Sequence, residues 1–71
     1  MNKLLYFTAA WCGPCKALGP TIDTLAGQGL PLQKIDVDNN QPLSAQYSVR
    51  NVPTLIKVDS DGNELGRLVG N

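Results

Sequence analysis

Apolar residues follow two rhythms along this chain. Leu4, Leu5, Tyr6 and Phe7 form an almost unbroken run closed by Thr8, the pattern of a strand buried on both faces in the middle of a sheet. From Cys15 the rhythm changes. Cys15, Leu18, Ile22 and Leu25 recur at intervals of three, four and three, the stripe of an amphipathic helix lying on that sheet. Pro14 suits the first turn of such a helix, where its missing N–H had no intrahelical partner and its fixed φ is already helical. Pro20 removes the hydrogen bond to the Lys16 carbonyl. A kink rather than an end is predicted there, because the stripe continues on both sides. Gly27 to Gly29 close the helix, with glycine supplying the left-handed conformation of a C-cap.

Leu30 to Asp38 then reads as a second strand, its faces divided by alternation through Leu32, Lys34 and either Ile35 or Val37. Asn39, Asn40, Gln41 and Pro42 have the composition of a turn, and a short helix is predicted from about Leu43 to Tyr47. Strand, helix and strand in this order predict a right-handed parallel crossover. Leu55 to Val58 is a third strand and Glu64 to Val69 a fourth, separated by the turn residues Asp59 to Asn63, so these two are expected to be antiparallel neighbours. The expected class is α/β, a mixed central sheet of about four strands with helices on its faces, in one domain spanning residues 1–71.

Both cysteines stand where the first strand gives way to the first helix, in Trp11-Cys12-Gly13-Pro14-Cys15. Residues three apart on a helix have Cβ atoms roughly 5 Å apart, slightly wider than the roughly 3.8 Å a disulfide prefers. Such a bond closes with modest adjustment and reopens readily. A thiolate at a helix N-terminus faces unpaired backbone N–H groups and the positive end of the macrodipole, which favours the anion. Cys12 lies at that end and is the expected nucleophile; Cys15, one turn deeper, is the expected resolving thiol. As a mere staple the pair would close too short a loop to remove much chain entropy. Two thiolates without a histidine do not fill a tetrahedral metal site, so no metal is expected unless two copies share one. The Trp11 ring either packs in the core or shields Cys12 and faces a partner.

Composition narrows the setting. With 42% hydrophobic and 17% charged residues the chain has the make-up of a folded domain, and at 71 residues its core is close to the smallest that suffices. Six basic residues balance six acidic ones without a run of either sign, which argues against nucleic acid or an anionic membrane as partner. The stretch Lys3 to Ala10 is at the short limit of a secretory signal, and cleavage there would strip the chain to its cysteine motif. No run approaches the roughly 20 apolar residues of a membrane span. A reducing cytoplasm, where disulfides are transient and catalytic, is the expected compartment.

The motif Trp11-Cys12-Gly13-Pro14-Cys15 resembles the active site of the thioredoxin family. Further matches come in the family's order: Pro20, Lys34, Arg50-Asn51-Val52-Pro53-Thr54 and Val69-Gly70. The resemblance implies a thiol-disulfide oxidoreductase that reduces protein disulfides through Cys12 and Cys15 without a cofactor. Trp11, Gly13, Pro14, Lys34 and Pro53 would support the site. Trp11, Val52, Pro53 and Gly70 would face the substrate, with Pro53 preceded by a cis bond and the Val52 backbone pairing with an extended segment. The electron donor would be a thioredoxin reductase drawing on NADPH or ferredoxin. The alternative is a binding module on the same fold, or a fragment with little redox turnover.

Two departures from the family stand out. The usual N-terminal strand and helix and the usual C-terminal helix have no counterpart, so a truncation is expected, with part of one sheet face left uncovered. Six residues before Cys12, where the family carries a buried aspartate, stands Tyr6. Lys34 would then lack its customary acidic neighbour, and Cys15 would lose its proton to water or to Lys34.

Overall fold

The computed structural model describes residues 2–29 and 31–70. Its elements are β1 (Lys3–Thr8), α1 (Gly13–Gly27), β2 (Leu32–Asp36), α2 (Gln41–Gln46), β3 (Thr54–Val58) and β4 (Glu64–Val69). The four strands form one sheet in the order β2-β1-β3-β4. β1 pairs in parallel with β2, placing Tyr6 opposite Lys34, and antiparallel with β3, placing Tyr6 opposite Leu55. β3 and β4 are antiparallel, with an irregularity between Lys57 and Val58. This is the mixed four-stranded α/β architecture expected from the hydrophobic pattern.

Three consecutive residues of β1, Leu5, Tyr6 and Phe7, are buried, as a strand covered on both faces requires. Leu5 and Phe7 point to one face, where they join Ile35, Ile56, Val58 and Tyr47 in the principal core, with Leu43 of α2 packed against it. The phenol of Tyr47 also donates a 2.6 Å hydrogen bond to the Gly62 carbonyl, tying the end of α2 to the β3–β4 turn. Tyr6 points to the opposite face, the one α1 lies across.

Boundaries moved where local chemistry outweighed composition. α2 begins at Gln41, two residues before the expected start, because Pro42 sits in its first turn, where proline is compatible with helix. β2 ends at Asp36 rather than Asp38, since the Asp36 carboxylate accepts from the Asp38 N–H and its carbonyl from the Asn40 amide, turning the chain. The expected start of this strand at Leu30 lies outside the described residues. α1 continues through Pro20 to Gly27, and Gly29 comes after it with φ of 86°.

Coverage of the α1 face is incomplete. Only Cys15 and Ile22 of α1 are buried, and beside them Leu4, Leu25, Leu55 and Leu68 line an open apolar trough of about 350 Å3. Leu68 is 73% exposed. Among the described residues no helix is long and apolar enough to cross a membrane.

Candidate dithiol site

Strand direction decides which residues can meet. β1, β2 and β4 run the same way and β3 runs against them, so one end of the sheet collects the segments leaving β1, β2 and β4 together with the segment entering β3. Those segments carry Cys12, Asp38, Gly70 and Val52-Pro53 respectively. Residues scattered over almost sixty positions thus reach one rim.

On that rim the chain leaves β1 through a turn closed by a 3.1 Å hydrogen bond from the Cys12 N–H to the Ala9 carbonyl. Cys12 is the N-cap of α1, with extended backbone angles of −88° and 109°, and its sulfur accepts the Cys15 N–H at 3.1 Å. Sulfur therefore occupies the place an aspartate or serine oxygen takes in an ordinary cap. Cys12 and Cys15 form a disulfide with their Cα atoms 5.2 Å apart. Both are buried, with Ala9, and Val37 and Val52 pack against them. Gly13 and Pro14 fill the first helical positions between them, leaving the chain slim and exposed over the bond.

The segment before β3 closes over the other side. The Val52 carbonyl oxygen lies 3.6 Å from the Cys12 sulfur. Pro53 is buried and comes after a cis peptide bond, and the Thr54 hydroxyl donates to the Asn51 carbonyl at 2.6 Å, tightening the approach. Gly70 donates its N–H to the Pro53 carbonyl at 2.9 Å. A Cβ on Gly70 would stand 2.9 Å from Pro53 Cγ, so the two segments touch at the distance only glycine permits. Pro14, Ala17, Leu18, Pro53 and Gly70 line a shallow apolar depression beside the disulfide.

Trp11 is 69% exposed, so the core-packing alternative for its ring does not hold. Its indole N–H donates to Asp38 Oδ2 at 2.9 Å. Sequence reasoning missed Asp38, although an indole N–H needs an acceptor and the end of a parallel neighbour strand is where one is found. It also left the Tyr6 hydroxyl without a partner; this group donates to the Cys15 carbonyl at 3.2 Å.

Lys34 does not join this group. It lies within β2, away from the strand end, and its ammonium pairs with Asp23 of α1 at 2.8 Å, both side chains more than half exposed. Tyr6, not an acid, faces Lys34 across the strands, and the acidic partner Lys34 finds instead is Asp23 on the helix surface. Exposed pairs of this kind contribute about 0–1 kcal/mol. A cavity of about 450 Å3, lined by Lys3, Tyr47, Asp59 and Asp61 among others, lies at the far end of the sheet and is lined by no thiol.

A mixed sheet whose central strand feeds a cysteine-capped helix, with a disulfide at the cap and a buried proline facing it, defines a dithiol-disulfide protein of the thioredoxin-like fold. Comparison with known proteins narrows the class. The thioredoxin family model matches residues 1–71, and the chain belongs to the thioredoxin family. It is 44% identical to the thioredoxin of Staphylococcus epidermidis over 71 residues, covering 96% of this chain and 67% of that one. Identity to the thioredoxin of Chlamydia trachomatis is 46% over 70 residues, covering 94% and 67%. Among solved structures, a mutant thioredoxin from Halobacterium salinarum superposes with a TM-score of 0.86 at 47% identity, over 97% of this chain and 61% of that chain. The germline thioredoxin Deadhead of Drosophila melanogaster superposes with a TM-score of 0.90 at 35% identity, over 97% and 68%. The chain thus spans about two thirds of the length of these relatives.

Proposed function

We propose that the protein is a thiol-disulfide oxidoreductase that reduces disulfides in other proteins. The observation that carries this reading is the Cys12–Cys15 disulfide at the N-cap of α1, with the Cys15 N–H directed at the Cys12 sulfur. In the reduced protein that N–H and the helix N-terminus favour a thiolate on Cys12. The Cys12 thiolate attacks one sulfur of a substrate disulfide, forming a mixed disulfide and releasing the first substrate thiolate. Cys15 then attacks Cys12, the second substrate sulfur departs, and the internal disulfide re-forms. Two electrons pass from the dithiol to the substrate, without a metal or organic cofactor.

Each remaining site residue has a part in this scheme. Val52, with its carbonyl beside Cys12, offers main chain to an extended substrate segment. Trp11, Pro53 and Gly70 shape the contact surface, and Gly13 and Pro14 keep the active turn slim. The Gly-Pro insert resembles that of reductants in this family. Re-reduction falls to a thioredoxin reductase using NADPH or ferredoxin, and the working compartment is the cytoplasm.

Insulin disulfide reduction, monitored by turbidity with dithiothreitol and then with NADPH and a bacterial thioredoxin reductase, tests the reading. Wild type is expected to accelerate precipitation, Cys12→Ser to abolish it, and Cys15→Ser to trap a mixed disulfide visible by mass. A wild-type rate equal to the dithiothreitol background would overturn the proposal.

A further inference from the structure

α1 is anchored to the sheet by few groups. Cys15 and Ile22 are its buried side chains, seven residues and two turns apart. In the oxidised protein Cys15 is also tied to Cys12 by the disulfide. That tie is absent in the mixed disulfide, because Cys12 is then bonded to the substrate. A different link bears on the Cys15 turn from below: the phenol of Tyr6, 2% exposed in the central strand, donates to the Cys15 carbonyl at 3.2 Å. Its acceptor is a carbonyl, which has no proton to give, so the phenol must keep its own proton for the contact to stand.

The charged groups nearby in the fold are turned outward. Lys34, the strand partner of Tyr6, and Asp23 of α1 are paired at the surface, Lys16 of α1 and Lys57 of β3 are exposed, and Asp36 at the end of β2 is only partly buried.

Resting on the exchange reading above, we propose that Tyr6 is a positioning residue for the resolving step: a buried hydroxyl on β1 that holds the first turn of α1, and with it the Cys15 sulfur, within reach of Cys12 while the substrate is attached. Tyr6 does not take the Cys15 proton. The step balances without it: Cys15–SH and Cys12–S–S–R give the Cys12–Cys15 disulfide and R–SH, the proton of Cys15 ending on the departing substrate sulfur.

Tyr6→Phe removes one oxygen and leaves the ring. A single uncharged hydrogen bond corresponds to about a fivefold change in an equilibrium or rate. Decay of a preformed mixed disulfide between Cys12 and a small aromatic thiol, read by release of the coloured thiol, should slow about fivefold. The initial attack by Cys12 should remain within about twofold of wild type. The Cys12–Cys15 equilibrium with glutathione should shift about fivefold toward the dithiol, about 20 mV. The pH profile of the resolving step should keep its shape, because no proton carrier has been lost.

Equal decay rates in an active wild type and Tyr6→Phe would overturn the assignment and leave the exchange reading intact. A changed profile shape would overturn it too, making Tyr6 a proton carrier. A wild type without exchange activity would instead end the reading it rests on. Should Tyr6→Phe not fold, proton NMR of the oxidised wild type decides: a Tyr6 hydroxyl proton protected from exchange is expected, and its absence would refute the contact.

Discussion

Ile22 offers the most direct test of how the redox helix is held. Its side chain is fully buried, and besides Cys15 it is the only buried residue of α1. Ile22→Ala removes three carbons from the interface between helix and sheet. Isoleucine-to-alanine changes in cores cost about 2–5 kcal/mol, depending on how far the surroundings collapse. Here the neighbouring trough is open and lined by Leu25, Leu55 and Leu68, so partial collapse is available and a cost of about 3 kcal/mol is expected. A folded domain of this length has a total stability of about 4–10 kcal/mol, so the substitution removes a large share of it. Urea unfolding monitored by far-UV circular dichroism measures the effect. With m near 1 kcal/mol/M, the midpoint should fall by about 3 M, while Ile22→Val should fall by only about 1 M. Because Ile22 is two turns from Cys15, insulin reduction per folded molecule at low urea should stay within about twofold. A loss below about 1 kcal/mol for Ile22→Ala at unchanged m would show that α1 is not anchored there.

Two further substitutions probe the rim around the disulfide. Asp38→Ala removes the acceptor of the Trp11 indole N–H; since Trp11 is the only tryptophan, acrylamide quenching of its fluorescence should rise and insulin reduction should fall about two- to fivefold, and unchanged quenching would show that the carboxylate does not hold the ring. Gly70→Ala places a Cβ 2.9 Å from Pro53 Cγ and 3.4 Å from its carbonyl oxygen. The proline ring can withdraw only by changing pucker against its buried surroundings, so that change or a lengthened hydrogen bond between these residues is expected to cost about 1–3 kcal/mol. A lower urea midpoint and a raised KM for insulin are expected, and an unchanged midpoint would refute the close packing.

Much of this architecture was legible along the chain because its signals are local. The run Leu4 to Phe7 announces a strand covered on both faces, and three of its residues are buried in succession. The stripe Cys15, Leu18, Ile22, Leu25 announces a helix, and Pro14 its first turn. Glu64–Val69 has the expected bounds of the last strand. Failures came where composition misled: Gln41 and Pro42, read as turn, open α2, because a proline in a helix's first turn and a proline in a loop look alike without their neighbours.

Lys34, Tyr6 and Asp38 mark the boundary between the two kinds of information. The element order, the junction carrying Cys12 and Cys15, and the position of Tyr6 in the central strand can be read along the chain, since each depends on residues within a few places of one another. That Lys34 is engaged by Asp23, that Asp38 receives the Trp11 indole, and that the Tyr6 hydroxyl reaches the Cys15 carbonyl emerge from the folded arrangement alone. Those pairings depend on strand order and direction, which set which strand ends share a rim, and a side chain's partner across a sheet has no signature in its own neighbourhood along the chain.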